Sequence, residues 1–457
     1  MGIRTRKWQA ASVATLLVCS AVGGCRQGDS ASEGQPAGNV VTTEIQAGIE
    51  KHIAEQTRTG GGYFRLSHDG RELSLKLVRV HTEYLANLGP GRHFACVDLA
   101  DVSGDVYDVD FFLAGEPGSM RVTETMVHKL NGKPFYAWEQ KPDKTWHRVP
   151  FEGASNELLG VITGQDEFEF TYRATLPEIT GEGRMWIPLA STDAYQTVDI
   201  LSIDAPEHQT LRDGEYGNRI LFAQLSDADS GRPVEIRYRV RRLEKAPYPA
   251  PPDKAARHLR PERLVPVNDT FRALAEPVVA GKNTDLVRAR ALYDHVIDRM
   301  AYIKYGSGWG KGDAVYACNA RTGNCTDFHA YFIGLARAAG LPARFAIGAA
   351  IPSNRDDGGV DGYHCWAEVY DRDEGKWWPV DISEADKYSP LATYYFGHHP
   401  ANRVEFSRGR DLKVDPGPAS GPINFLAYPV LEVGGKPARA KVRFSFKRTA
   451  RAFATAD

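Results

Sequence analysis

Three residues in the second half of the chain have the types and settings of a thiol site: Cys325, His364 and Asp381. Cys325 stands directly before a stretch of helical periodicity and just after Gly323-Asn324, a tight entry, with Thr326 and Asp327 available as capping groups. A thiol at a helix N-terminus feels the positive end of the dipole and free backbone amides, and both favour the thiolate. The same amides can hold the oxyanion that forms when a thiolate attacks a carbonyl. Position alone fits a buried structural cysteine better. His364 opens the strand-like run His364–Tyr370, Asp381 lies near the end of Trp377–Ile382, and residues 371–376 supply a turn. In a hairpin with an even loop, His364 faces residue 381 or 383, so His364 and Asp381 share a face, opposed or diagonal. An odd loop would place them on opposite faces. In the even register Asp381 holds the imidazole tautomer while His364 takes the proton from Cys325.

The elements around these residues change character along the chain. Residues 43–150 read as a small α+β domain. A helix with Ile45, Ile49 and Ile53 on one side is followed by an antiparallel meander with an Asp69-Gly70 turn. Residues 155–245 contain short strands at regular spacing, a sandwich-like pattern. The dense prolines of Ala246–Pro252 open an extended linker, residues 246–265, which marks a domain boundary. Residues 266–415 mix helix and strand: Thr284 or Asp285 caps one helix, residues 326–339 form a second that stops at Gly340, and strands follow. Residues 416–457 end in a hairpin that turns at Gly434-Gly435.

The segments Gly323–Phe328, Gly340–Arg344, Tyr363–Val369 and Trp378–Asp381 resemble the transglutaminase-like superfamily, over about residues 284–400. The resemblance implies a papain-like core, with a helix bearing the cysteine packed on an antiparallel sheet. The fold class expected for the whole chain is therefore α+β and multidomain, with this catalytic core preceded by the small α+β and sandwich-like domains. By the same resemblance Cys325 is nucleophile, His364 general base and acid, and Asp381 the orienting carboxylate. The implied reaction is attack on a peptide or protein amide, with a thioester resolved by water or by an amine. Hydrolysis, as in a cysteine peptidase or amidase, is favoured over cross-linking. The competing reading is a catalytically silent envelope lipoprotein that uses the fold as a binding module. Trp309 is a candidate oxyanion donor, although a core aromatic is the plainer reading, and Trp366 is a candidate wall of the site.

The N-terminus carries a separate signal. Arg4, Arg6 and Lys7 precede the apolar run Ala10–Val22, which is shorter than the ~20 residues a membrane span needs. The run ends Val22-Gly23-Gly24-Cys25, which resembles the lipobox of bacterial lipoproteins. Residues 1–25 are thus expected to be a lipoprotein signal peptide lipidated at Cys25, and residues 26–42 a flexible tether. The expected location is the cell envelope, anchored by lipid. With 56 basic against 58 acidic residues, no charge bias argues for nucleic acid. No cofactor and no metal is expected. Asp98, Asp101, Asp105, Asp108 and Asp110 do not match an EF-hand loop, and Asp108 and Asp110 alternate as on the wet face of a strand. Cys318, Cys325, His364 and Cys365 lack a zinc-knuckle spacing. Four cysteines in the mature body are too few for a disulfide scaffold, and a Cys318–Cys365 bridge is left open. His398-His399 reads as surface loop, and Arg403, Arg408, Arg410 and Asp411 as a structural salt-bridge cluster.

Overall fold

The computed structural model describes residues 40–452 except 90, 141–145, 151–159, 305–306 and 388–390. The expected signal peptide 1–25, with Cys25, lies outside the described residues. The expected tether 26–42 ends early, because Val40 is already buried and Thr42 opens the first helix.

That helix, Thr42–Thr59, lays Ile45, Ile49 and Ile53 on an antiparallel sheet. The sheet is a meander of Phe64–His68, Arg71–Val80, Arg92–Ala100, Val106–Ala114 and Arg121–Leu130, each paired with the next. Its first hairpin turns on Asp69 and Gly70, both with positive φ (48° and 75°), the backbone that a two-residue turn between twisted strands requires. The sheet's other face is not wet. Asp98, Asp108 and Asp110 are buried there, which corrects the expectation of solvated aspartates. The strand alternation is real, but a second layer covers this face. Arg290, from the helix Asp285–Arg299, reaches Asp98 at 3.1 Å.

Two five-stranded sheets form the sandwich. Gln165–Thr175 and Pro233–Leu243 alternate strictly, with Phe168, Phe170, Tyr172, Val234, Ile236, Tyr238 and Val240 buried between the sheets. The C-terminal segment turns where expected, but its arms do not pair along their whole length as one hairpin. Val430–Val433 turns at Gly434-Gly435 onto Lys436–Ala438, and both belong to one sheet. Lys441–Ala452 crosses to the other and pairs with Gln165–Thr175. Its apolar positions, Phe444 and Phe446, are buried in the main core.

The expected linker is docked, not free. Tyr248–Pro249 pairs with Lys376 and Trp377 as an edge strand of the third sheet. Residues 40–457 accordingly form one compact unit, without the separable boundary that the prolines suggest. The third sheet runs Tyr248–Pro249, Lys376–Val380, His364–Asp371, Ala343–Ala350 and Arg403–Arg408. The helix Cys325–Ala338 packs on it, buried along nearly its whole length. Gly334 lets Phe271 lie against this helix, where an added Cβ would stand 2.8 Å from the ring.

Candidate active site

The helix Cys325–Ala338 begins at Cys325 because its N-cap is satisfied. Asn324 Oδ1 accepts from Thr326 N at 3.0 Å, and the Asp327 carboxylate reaches back to Asn324 N at 3.0 Å. The same carboxylate accepts from Gly310 N at 2.7 Å and Gly312 N at 3.0 Å, so the preceding loop is tied to the first turn. Cys325 is thereby fixed at the positive end of a buried helix.

His364 and Asp381 come from the expected hairpin. Asp371 pairs with Lys376, leaving a four-residue loop, and Ala367 pairs with Val380. Continued by its own arithmetic, this register sets His364 opposite residue 383 and Asp381 on the diagonal, the second of the two even-loop arrangements. His364 Nε2 meets Asp381 Oδ2 at 2.7 Å. With Nε2 so held, Nδ1 is left for Cys325, whose sulfur interacts electrostatically with the His364 ring. All three groups are buried: Cys325 is 1% exposed, His364 6% and Asp381 0%.

Their charges are set by one another. Burial would push His364 down, but the Asp381 carboxylate and the hydrogen bonds to Asp381 and Cys325 lift it to about 9. Burial would raise Cys325, yet hydrogen bonds from Cys365 and His364 and the positive imidazole hold its thiol well below the ordinary value. Asp381 is likewise held down against burial by His364 and Arg403. The arrangement is a thiolate–imidazolium pair backed by a carboxylate.

Three neighbours have places in the site that the sequence reading did not give them. His329, one helical turn after Cys325, places Nδ1 2.8 Å from the Cys325 carbonyl and accepts from Ile382 N at Nε2 (3.2 Å). The spacing of four from Cys325 was the available signal. Arg403 donates to Asp381 Oδ2 at 2.6 Å, so it serves the site rather than a peripheral salt-bridge cluster. Cys365 Sγ lies 3.6 Å from His329 Nδ1, and burial beside Cys325 pushes its thiol well above the ordinary value. Cys318 contacts Tyr331 instead, and both Cys318 and Cys365 are free, so they form no bridge. Neither lone arginines nor a cysteine after a histidine signal such roles before the sheet is assembled.

The remaining expectations resolve individually. Trp366 is fully buried with its ring centroid 6.0 Å from that of His364, so it does border the histidine. Trp309 is half-buried beside Lys304, on the loop tied down by Asp327. His398 and His399 are buried, against the surface-loop expectation: His398 stacks on Tyr394 (4.9 Å between centroids) and His399 Nε2 meets the Val380 carbonyl at 3.1 Å. Outside the site, His81, Cys96 and Asp108, and also Asp108, Asp110 and His128, bring possible ligand atoms within 4.8 Å of one another.

A protein of Haemophilus influenzae, itself uncharacterized, is 27% identical over 325 residues, covering 59% of this chain and 86% of its own. Among solved structures, a candidate cysteine protease from Cytophaga hutchinsonii aligns at 17% identity and TM-score 0.45, over 64% of this chain and 93% of that one. The periplasmic domain of TgpA from Pseudomonas aeruginosa aligns at 16% identity and TM-score 0.29, over 54% of this chain and 100% of that one. The profile of the transglutaminase-like superfamily matches residues 272–382. The chain therefore carries a transglutaminase-like domain, and Cys325, His364 and Asp381 all fall within it.

Proposed function

We propose that Cys325, His364 and Asp381 catalyse thiol-dependent attack on peptide or protein amides, with hydrolysis as the outcome. The single observation that supports this reading most strongly is the buried His364 Nε2–Asp381 Oδ2 pair at 2.7 Å, whose ring interacts with the Cys325 sulfur at the start of the helix. In the proposed step the Cys325 thiolate attacks the carbonyl carbon. Developing charge on oxygen faces the start of the helix, where backbone amides point outward. The His364 imidazolium gives its proton to the departing amine, and a thioester remains. Neutral His364 then takes a proton from water, which attacks the thioester and releases the acid. Asp381 keeps the ring oriented and stabilises its charged form, while Arg403 stops that carboxylate from taking the proton.

The test is mass spectrometry of a peptide library incubated with the protein, with Cys325→Ala as control. Cleavage or deamidation that vanishes in the variant supports hydrolysis. Amine-dependent cross-links would move the reading to transamidation, and no change in any peptide would favour the binding-module alternative.

Export and lipid anchoring at Cys25 belong to the same proposal. They are supported by Arg4, Arg6 and Lys7, the apolar run that follows, and the small residues before Cys25. Incorporation of labelled palmitate in a bacterial host, lost in Cys25→Ser, tests them.

A further inference from the structure

The face of the N-terminal sheet that meets Arg290 carries a set of side chains that the proposed reaction does not use. Cys96 and Asp98 on Arg92–Ala100 stand opposite Asp110 and Asp108 on Val106–Ala114, and all four are buried. Alternation along the strands sends these four side chains to one face. His81 joins them from the end of the neighbouring strand, where its backbone N donates to the Cys96 carbonyl at 2.9 Å. His128 joins from the other side through a bulge: Asp108 pairs with Lys129 and Val109 with Val127, so His128 is the extra residue. A bulge re-aims a side chain, and His128 Nδ1 comes to 3.9 Å from Asp108 Oδ1 and 3.7 Å from Asp110 Oδ2. Possible ligand atoms of His81, Cys96 and Asp108 all lie within 4.8 Å of one another, and so do those of Asp108, Asp110 and His128. A hydrogen-bonded polar layer gains nothing from sulfur here. Cys96 Sγ donates to Asp108 Oδ1 at 2.8 Å, and a serine hydroxyl would be the stronger donor. To a metal ion the sulfur does matter.

We propose that His81, Cys96 and Asp108 form a site for one divalent ion of the zinc class, with Asp110 and His128 flanking it beyond Asp108. Zinc bonds of about 2.0–2.3 Å set tetrahedral ligands about 3.3–3.8 Å apart. The triad is within about 1 Å of that spacing, an adjustment that side-chain rotation supplies. A thiolate and an imidazole select zinc, cobalt or a similar ion over calcium and magnesium, which take oxygen ligands. Binding forms a metal–sulfur bond and breaks the S–H bond, the proton going to solvent, and His81 ligates through an unprotonated nitrogen. Burial and the charges of Asp108, Asp110 and Asp98 keep the thiol protonated in the metal-free chain. A dication beside the sulfur reverses that field. The outer groups are in place. Asp98 Oδ1 lies 3.0 Å from His81 Nε2, and Arg290 holds the same carboxylate at 3.1 Å. Lys129 holds Asp108 Oδ2 at 2.9 Å, which leaves Oδ1 on the side of Cys96. Partners of this kind fix the orientation of ligands. The way in is past His128 and Lys129, whose side chains are 18% and 31% exposed. The ion ties neighbouring segments of the sheet together on the face that Arg290 meets, so its role is structural and separate from the chemistry at Cys325.

The experiment uses the full chain, stripped with a chelator and then titrated with cobalt(II) as a spectroscopic probe. One ion per chain should bind, with the near-ultraviolet band of a cobalt–thiolate bond. The band should be lost in Cys96→Ser and kept in Cys325→Ala, which separates this site from the thiol of the transglutaminase-like domain. Anomalous diffraction at the zinc edge, from wild-type crystals soaked in zinc, should place a peak between His81, Cys96 and Asp108. The soaked crystals need no variant, so a folding defect in Cys96→Ser does not leave the question open. No peak, or zinc on other residues alone, overturns the proposal, as does a cobalt complex without the sulfur band. A peak between Asp108, Asp110 and His128 instead also overturns it, because sulfur then takes no part. None of these readouts involves amide cleavage, so the result is independent of the proposed function.

Discussion

Two regions of this molecule bury a cysteine, a histidine and an aspartate together, and they hold the sulfur in opposite states. On the N-terminal sheet, Cys96 donates to Asp108 Oδ1 at 2.8 Å and His81 Nε2 lies 3.0 Å from Asp98 Oδ1. Burial comes first, and the charges of Asp108, Asp110 and Asp98 then add to it, so the Cys96 thiol is pushed far above its ordinary value and stays protonated. In the transglutaminase-like domain, Cys325 is equally buried, but its neighbours are an imidazolium and the start of a helix, and it is held well below that value. Residue types are the same in both places. The sign of the local field favours the thiolate in one place and the protonated thiol in the other.

The largest way to break this contrast is His364→Ala. It removes the positive partner and the proton donor for the leaving amine, so amide cleavage should fall by ~10²–10⁴-fold. Cys96→Ser should leave cleavage unchanged; equal losses in both variants would erase the distinction. The pH profile sharpens it. His364 is charged below about 9, so leaving-group protonation is present at neutral pH and is lost as pH rises through that value. Cleavage should therefore decline above about pH 9, while alkylation of Cys325, which needs no acid, should not.

The N-terminal cluster should matter for stability instead. Arg290→Ala removes the guanidinium 3.1 Å from the buried Asp98 carboxylate, which keeps His81 at 3.0 Å, and should cost about 3 kcal/mol in urea unfolding. A loss near zero would mean that this cluster is not a buried ion-pair network. Next in size is Gly348→Ala, on the sheet that carries His364. An added Cβ would lie 1.8 Å from the Val404 carbonyl, so the strands must part, at a cost of about 1–3 kcal/mol. The smallest is Asn324→Ala, which removes the cap ahead of Cys325 and should cost about 1 kcal/mol in thermal or urea unfolding. It should also move the alkylation profile of Cys325 to higher pH; a stability loss without that movement would separate the cap from the thiolate.

What the sequence revealed follows from range. The helix after Cys325, the even hairpin loop and the Ile45, Ile49 and Ile53 stripe are local patterns, and each element formed where its pattern lay. The three reacting groups were legible because each sits within such a pattern. Arg403 and Cys365 were not, since their roles arise only when strands distant in the chain lie side by side. The buried aspartates show the same limit. Alternation on a strand identifies a face, but whether water or Arg290 meets that face depends on an element almost two hundred residues away. The C-terminal segment misled for a related reason: its two arms are adjacent in sequence, yet they complete different sheets.

The most direct measurement is competitive iodoacetamide labelling of the folded chain, followed residue by residue across pH. Cys325 should react first and keep reacting at about pH 6, well below the ordinary thiol value of about 8.5. Cys96 should stay unlabelled until denaturant opens the N-terminal sheet. If both cysteines begin to react only near the ordinary value and at similar rates, the opposite fields do not exist and the proposed nucleophile is a plain buried thiol.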